Sequence, residues 1–128
     1  MIDWKKLFSS FGFAFTGIIS TFKSEQNFKI HTFISVIVII FAVALDFSKE
    51  RFVLLFIVIG IVLSLELVNT AVESVVDLIT EKKHPLAKKA KDAAAGAVLV
   101  FSIFAVIIGI LLFIEPLIDS MKLFLLRR

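Results

Sequence analysis

The chain has no cysteine and no tyrosine, and only two prolines and five glycines in 128 residues. Without cysteine there is no disulfide framework, no thiol nucleophile and no thiolate metal site. So few prolines and glycines leave little to interrupt helices, and no stretch shows the period-two alternation of a half-buried strand. His31 and His84 have no second histidine at ligand spacing, which argues against a zinc centre. A Gly-x-x-x-x-Gly-Lys-Ser/Thr loop and the protein-kinase signatures are also missing, so any nucleotide site here is of another design.

What is abundant is hydrocarbon. Hydrophobic residues make up 59% of the chain, fifteen of them phenylalanine, and the mean hydropathy is +1.04. These values lie far above soluble norms and fit a chain bathed in lipid. The length allows one domain, residues 1–128. The expected class is a small all-α integral membrane protein.

The net charge is only +3, and its distribution is more informative than its sum. Lysines gather at Lys5, Lys6, Lys23 and Lys29, and again at Lys82, Lys83, Lys88, Lys89 and Lys91. They flank apolar segments, where basic residues set membrane orientation, so nucleic acid is not an expected partner.

Residues 1–22 space Trp4, Leu7, Phe8, Phe11, Phe15, Ile18 and Phe22 by three and four among lysines and hydroxyls. That pattern predicts an amphipathic helix lying in the membrane interface. A signal peptide is the competing reading. No small-x-small cleavage site follows, however, and Lys23-Ser24-Glu25-Gln26-Asn27 leads straight into another apolar segment.

Three transmembrane helices are expected, over 28–46, 52–80 and 86–114. Asp46-Phe47-Ser48-Lys49-Glu50-Arg51 is a tight polar connector, and Glu81-Lys82-Lys83-His84-Pro85 is a helix break. Glu115-Pro116 is expected to end the last span, leaving residues 117–128 as a short amphipathic tail. Ala93-Ala94-Ala95-Gly96-Ala97 offers a small-residue face for close helix approach.

Three spans put the termini on opposite sides. The N-terminal region and the 81–91 connector carry nine of the fourteen basic residues; Lys49, Arg51, Lys122, Arg127 and Arg128 lie on the other side. The positive-inside rule then puts the N-terminus of this multi-pass protein, and the acidic end of its middle span, on the cytoplasmic side.

The middle span does not behave like simple lipid filler. At 1.5 Å per residue, 52–80 is about 43 Å long against a hydrocarbon core of about 30 Å. Its surplus lies at the end that carries Glu66, Asn69, Glu73 and Asp77, spaced by three, four and four. At 100° per residue these side chains fall within about 80° of one another on one helix face. Acids inside a membrane are costly and normally face a protein interior or a site.

Carboxylate oxygens suit Mg²⁺, which takes its remaining ligands from phosphate and water. Lys91 beside Asp92 supplies a cation for phosphate, and acids with lysines at a membrane surface suit phosphoryl transfer. Glu66, set deepest, is a candidate general base. Two readings from other classes stay open: a proton- or cation-conducting oligomer with the stripe lining a pore, and a non-catalytic membrane subunit packed through its alanines.

The spacing Glu66-x-x-Asn69-x-x-x-Glu73-x-x-x-Asp77, followed by Lys91-Asp92 and the 93–98 small-residue run, closely resembles the small bacterial diacylglycerol kinase family, which includes the undecaprenol kinases of Gram-positive bacteria. The resemblance covers nearly the whole chain, including Glu25 before the first span and the basic connector. It implies a homotrimer with sites shared between subunits, using ATP with Mg²⁺ to phosphorylate a lipid hydroxyl. By the same analogy Glu66 is the general base, while Glu25 and Glu73 hold the metal and Asn69 orders the site. Asp77, Lys91, Asp92, Lys82, Lys83 and His84 stand where nucleotide contacts are expected, as do Lys6 and Phe13; a Lys stands at position 6 where an Arg is familiar, and Phe13 lacks a tyrosine hydroxyl. Glu25-Gln26-Asn27-Phe28-Lys29-Ile30-His31 and His84-Pro85-Leu86-Ala87-Lys88 resemble the undecaprenol kinase branch, with diacylglycerol as the alternative acceptor.

Overall fold

A computed structural model describes residues 3–80 and 82–126. Met1, Glu81 in the connector, and Arg127 and Arg128 of the charge-asymmetry argument lie outside the described residues. Among the described residues the chain is four helices: α1 (Trp4–Ser24), α2 (Gln26–Ala44), α3 (Lys49–Ile79) and α4 (Pro85–Leu126). The expected all-α class is borne out. α2, α3 and α4 are each long and apolar enough to cross a membrane. At 1.5 Å per residue they measure about 29, 46 and 63 Å.

Each junction has a local cause. Asp3 starts α1 by accepting from the Lys6 amide at 3.1 Å. α1 and α2 are separated by a single extended residue, Glu25, whose amide closes α1 onto the Thr21 carbonyl at 2.8 Å. The Glu25 side chain makes no capping bond to α2, so its carboxylate is left for other work.

α2 ends in a paired-amide C-cap. Asp46 takes a left-handed conformation (φ 52°), its amide bonding to the Val43 carbonyl and the Phe47 amide to Ala42, both at 3.1 Å. This is the Schellman arrangement, with aspartate in the position that glycine usually fills. Ser48 then caps α3 by accepting from the Arg51 amide at 3.4 Å. The connector is thereby shorter than expected, because Lys49, Glu50 and Arg51 already belong to the first turn of α3. At the other end of α3, His84 caps α4: its Nδ1 accepts from the Leu86 amide at 3.2 Å, with Pro85 at the first helical position.

The structure corrects one expectation. Glu115-Pro116 does not end the third span, because α4 runs through Pro116 to Leu126. A proline inside a helix removes its bond to the carbonyl four residues back, here Leu112, and ordinarily breaks the helix there. In this chain Arg51 reaches across from α3, and its Nη1 donates to the Leu112 oxygen at 3.3 Å. The same guanidinium pairs with Glu115 and lies 5.9 Å from the centre of the Phe47 ring. The carbonyl orphaned by proline is thus satisfied from a neighbouring helix.

The packed core sits beside this latch. Ala42, Phe47, Leu55 and Leu112 are buried together, with Phe47 4.5 Å from the Phe113 ring and 5.9 Å from Phe52. At the opposite end burial is confined to a few positions, among them Thr21, Phe28, Glu66 and Val98. Most large hydrophobic side chains are exposed on the single chain, which is expected where the surroundings are lipid tails rather than water.

Candidate active site around Glu66

The acidic stripe lies in the last four turns of α3, and its members differ in surroundings. Among the described residues Glu66 is the best-buried acid, 3% exposed. Its Oε1 lies 3.3 Å from Nε2 of His31, which sits two turns into α2. Glu25, from the α1–α2 junction, and Glu73 lie close enough for their charges to act on the Glu66 carboxylate. Glu25 acts on Glu66 from the junction that precedes α2, 41 residues away in sequence.

One turn further along α3, the Asn69 amide nitrogen donates to Glu73 Oε1 at 3.0 Å, a contact set by their four-residue spacing. This fixes the asparagine so that its Oδ1 is buried with no hydrogen-bond partner. A buried polar atom without a partner calls for an explanation, such as a missing ligand.

The donor set suits a hard divalent cation. Among the described residues no group of three or more His, Cys, Asp or Glu side chains is disposed to hold a metal by itself. Mg²⁺ does not need one, since it typically uses one or two carboxylates and completes its shell with substrate phosphate and water. Glu73, with the unpaired Asn69 oxygen beside it, is a carboxylate of the kind that requirement calls for.

Past Glu73 the stripe joins α4. Asp77 Oδ1 lies 2.5 Å from Lys91 Nζ, linking the last turn of α3 to the second turn of α4. Asp92 instead pairs with Lys88 one turn earlier on the same exposed face. Lys91 and Asp92 are neighbours in sequence but face different partners. Lys82, Lys83 and His84 are exposed in the connector, and His84 already uses Nδ1 to cap α4. Lys6 and Phe13 are also exposed, Phe13 at 75%, and with Asp3 and Ser10 they line a hollow of about 390 Å³ on α1. The expected nucleotide contacts thus form separate groups on one chain: the α1 hollow, the connector and the α3–α4 seam.

His31 is the member of the site that sequence reasoning missed. A single histidine at the start of an apolar run has no spacing to betray a partner on another helix. Its signal was indirect: a polar ring beginning a span that has a lone buried acid opposite it in the next.

Comparison with known proteins bears on what this site does. Residues 12–113 match the family profile described as prokaryotic diacylglycerol kinase. The chain is 47% identical over 115 residues to an undecaprenol kinase of Bacillus subtilis, covering 90% of this chain and 94% of that protein. It is 46% identical over 116 residues to a diacylglycerol kinase of Synechocystis, covering 90% of this chain and 66% of that longer protein. A diacylglycerol kinase of Pseudomonas aeruginosa is 32% identical over 93 residues, covering 73% of this chain and 76% of its own length. With acids gathered at the end of a membrane helix and a match along most of its length, this chain belongs to the prokaryotic diacylglycerol kinase family and is a lipid kinase.

Proposed function

We propose that the enzyme transfers the γ-phosphoryl group of ATP to the hydroxyl of undecaprenol, with diacylglycerol as the alternative acceptor. The observation that carries the reaction is Glu66, a carboxylate held 3% exposed on an apolar helix and met by the His31 imidazole at 3.3 Å. The observation that favours the polyprenol is identity to the Bacillus subtilis undecaprenol kinase over nearly the full length of both chains.

In this reading Glu66 takes the proton of the lipid hydroxyl as its oxygen attacks the γ-phosphorus. The bond from phosphorus to the ADP oxygen breaks, and the proton remains on Glu66. A general base of this kind contributes about 10²–10⁴-fold. Glu25 and Glu73 would hold Mg²⁺, and Asn69 fixes Glu73 for that purpose. Bound Mg²⁺ supplies neutralisation of phosphate charge, the dominant need in phosphoryl transfer. Lys91, steadied by Asp77, is directed to phosphate, while Asp92, Lys82, Lys83 and His84 border the nucleotide from the connector side.

Lys6 and Phe13 stand apart from these residues on the exposed α1 hollow, which supports a site completed by neighbouring copies in a homotrimer. α1 would then lie in the membrane interface, its Trp4, Phe8, Phe11 and Phe15 side chains all exposed on the single chain. The lysine-rich side, with the N-terminus, faces the cytoplasm and its ATP.

The test is Mg²⁺-dependent transfer of labelled phosphate from ATP to undecaprenol and to diacylglycerol, side by side in mixed micelles. Transfer mainly to undecaprenol is expected. Transfer mainly to diacylglycerol would keep the mechanism and change the acceptor, whereas transfer to neither from folded protein would rule the reading out.

A metal prediction follows from the same arrangement. Glu73→Gln keeps a side chain able to meet Asn69 but removes a negative oxygen, so half-maximal activity should need about 10–100-fold more Mg²⁺. Saturating Mg²⁺ should recover most of kcat. A Mg²⁺ titration curve superimposable on that of the wild type would remove Glu73 from the metal site.

A further inference from the structure

A buried carboxylate that acts as a base has to be held in one orientation, and the Glu66 side chain has few groups with which to do so. The Thr70 hydroxyl donates to the Glu66 backbone carbonyl at 3.0 Å, not to its carboxylate. The Asn69 amide is engaged by Glu73, and the Ser35 hydroxyl donates to the backbone carbonyl of His31 at 2.7 Å. Glu25 and Glu73, the charged groups that act on Glu66 from its own helix and from the α1–α2 junction, repel it and offer no proton. Among the described residues, the group that reaches its side chain is the His31 imidazole, with Nε2 3.3 Å from Oε1.

The other side of His31 faces different surroundings. Its side chain is 26% exposed and lines an apolar groove of about 540 Å³ formed by α2, α3 and α4. Ile34, Ser35, Val62 and Ser102 line the groove beside it, and the Ser102 hydroxyl is buried with no hydrogen-bond partner. From Ser102 the groove continues along α4 to Leu117, which at 1.5 Å per residue is about 22 Å of hydrocarbon-lined surface. His31 thus stands between the base and a lipid-compatible channel whose polar groups are gathered at the base end.

We infer that His31 is a positioning residue for Glu66: its Nε2–H holds Oε1 and leaves Oε2 to take the proton of a lipid hydroxyl delivered along the groove. The inference rests on the kinase reading given above. A 3.3 Å approach is at the long end of hydrogen-bonding reach, and such contacts tighten when the acceptor is bound. Loss of the donor lets the carboxylate rotate, and a misplacement of about 1 Å at a reacting group costs about 10²-fold in rate.

Two variants of the full chain separate this role from simple packing. His31→Leu fills the space without a donor, and His31→Gln keeps an N–H in reach of Glu66. In the micelle assay His31→Leu should lower kcat about 10²-fold with KM for ATP within about twofold of wild type, and His31→Gln should recover at least a tenth of wild-type kcat. Wild-type kcat in His31→Leu, or a glutamine variant as slow as the leucine one, would overturn the assignment. A second readout needs no turnover. With nitrogen-labelled histidine in a His84→Asn background, one imidazole remains, and Glu66→Gln should shift its Nε2 resonance. An unmoved resonance denies the contact. A shifted resonance in a protein that phosphorylates neither lipid would refute the base role of Glu66, and the positioning role with it.

Discussion

Glu66→Gln should lower kcat for lipid phosphorylation by about 10³-fold while leaving the fold intact, a loss within the range for a positioned general base. Glutamine matches glutamate in volume, so no cavity opens at a position only 3% exposed. It can still accept from His31, and it removes a negative charge that sits near Glu25 and Glu73. Thermal stability in micelles should therefore hold or rise, because an acid buried among other acids is a cost to the folded state. The combination is diagnostic: activity falls and stability does not. The KM for ATP should change little, since Lys91 and Asp77 lie more than two helical turns further along the stripe. Activity within tenfold of wild type would show that another group takes the proton. Ion flux in vesicles without ATP, changed by Asn69→Ala, would instead favour a conducting oligomer.

The second large effect is on stability and lies at the other end of the molecule. Arg51→Leu should destabilise the protein by about 1–3 kcal/mol, the range for leaving a buried backbone acceptor without a partner. Arg51 makes two polar contacts on α4, and magnitudes decide between them. The Glu115 side chain is 69% exposed, so its ion pair with Arg51 is worth about 1 kcal/mol or less. The Leu112 carbonyl belongs to a buried residue in a helix interrupted by Pro116, and a buried acceptor left without its partner bears its full desolvation cost. Glu115→Gln should accordingly cost less than Arg51→Leu. Pro116→Ala restores an amide to the Leu112 oxygen, so in that background Arg51→Leu should cost less than it does alone. Additive losses in the double variant, measured by thermal unfolding in micelles, would show that the carbonyl contact is not the source of the effect.

The helical class and the apolar character of three segments were legible in the sequence because each is a sum over many residues. The stripe from Glu66 to Asp77 was legible for a related reason: four polar residues at helical spacing in an apolar run form a pattern within one element. The Asn69–Glu73 contact follows from that spacing directly. What escaped are contacts between elements. Pro116 reads as a terminator because local rules assign it that role, and the remedy, Arg51, lies 65 residues earlier on another helix. His31 escaped in the same way. His84 was read from the resemblance as a nucleotide neighbour, while the structure gives its Nδ1 a capping role that the His-Pro dipeptide at a helix start already hints at.

The contacts that bind α3 to its neighbours also set how the molecule can deform. α3 is fastened to α4 near both ends, by Arg51 at the first turn and by Asp77 near the last. Those two fixings are 26 residues apart, about 39 Å along the helix. Such a pair resists both sliding and rolling and behaves as one strut. α2 is held to α3 by a four-residue turn at one end and by His31 against Glu66 near the other. α1 is joined to α2 through the single extended residue Glu25. Any swing of α1 with α2 against that strut would turn about Asp46, where the backbone is left-handed, and would have to part the imidazole from the buried carboxylate at its far end.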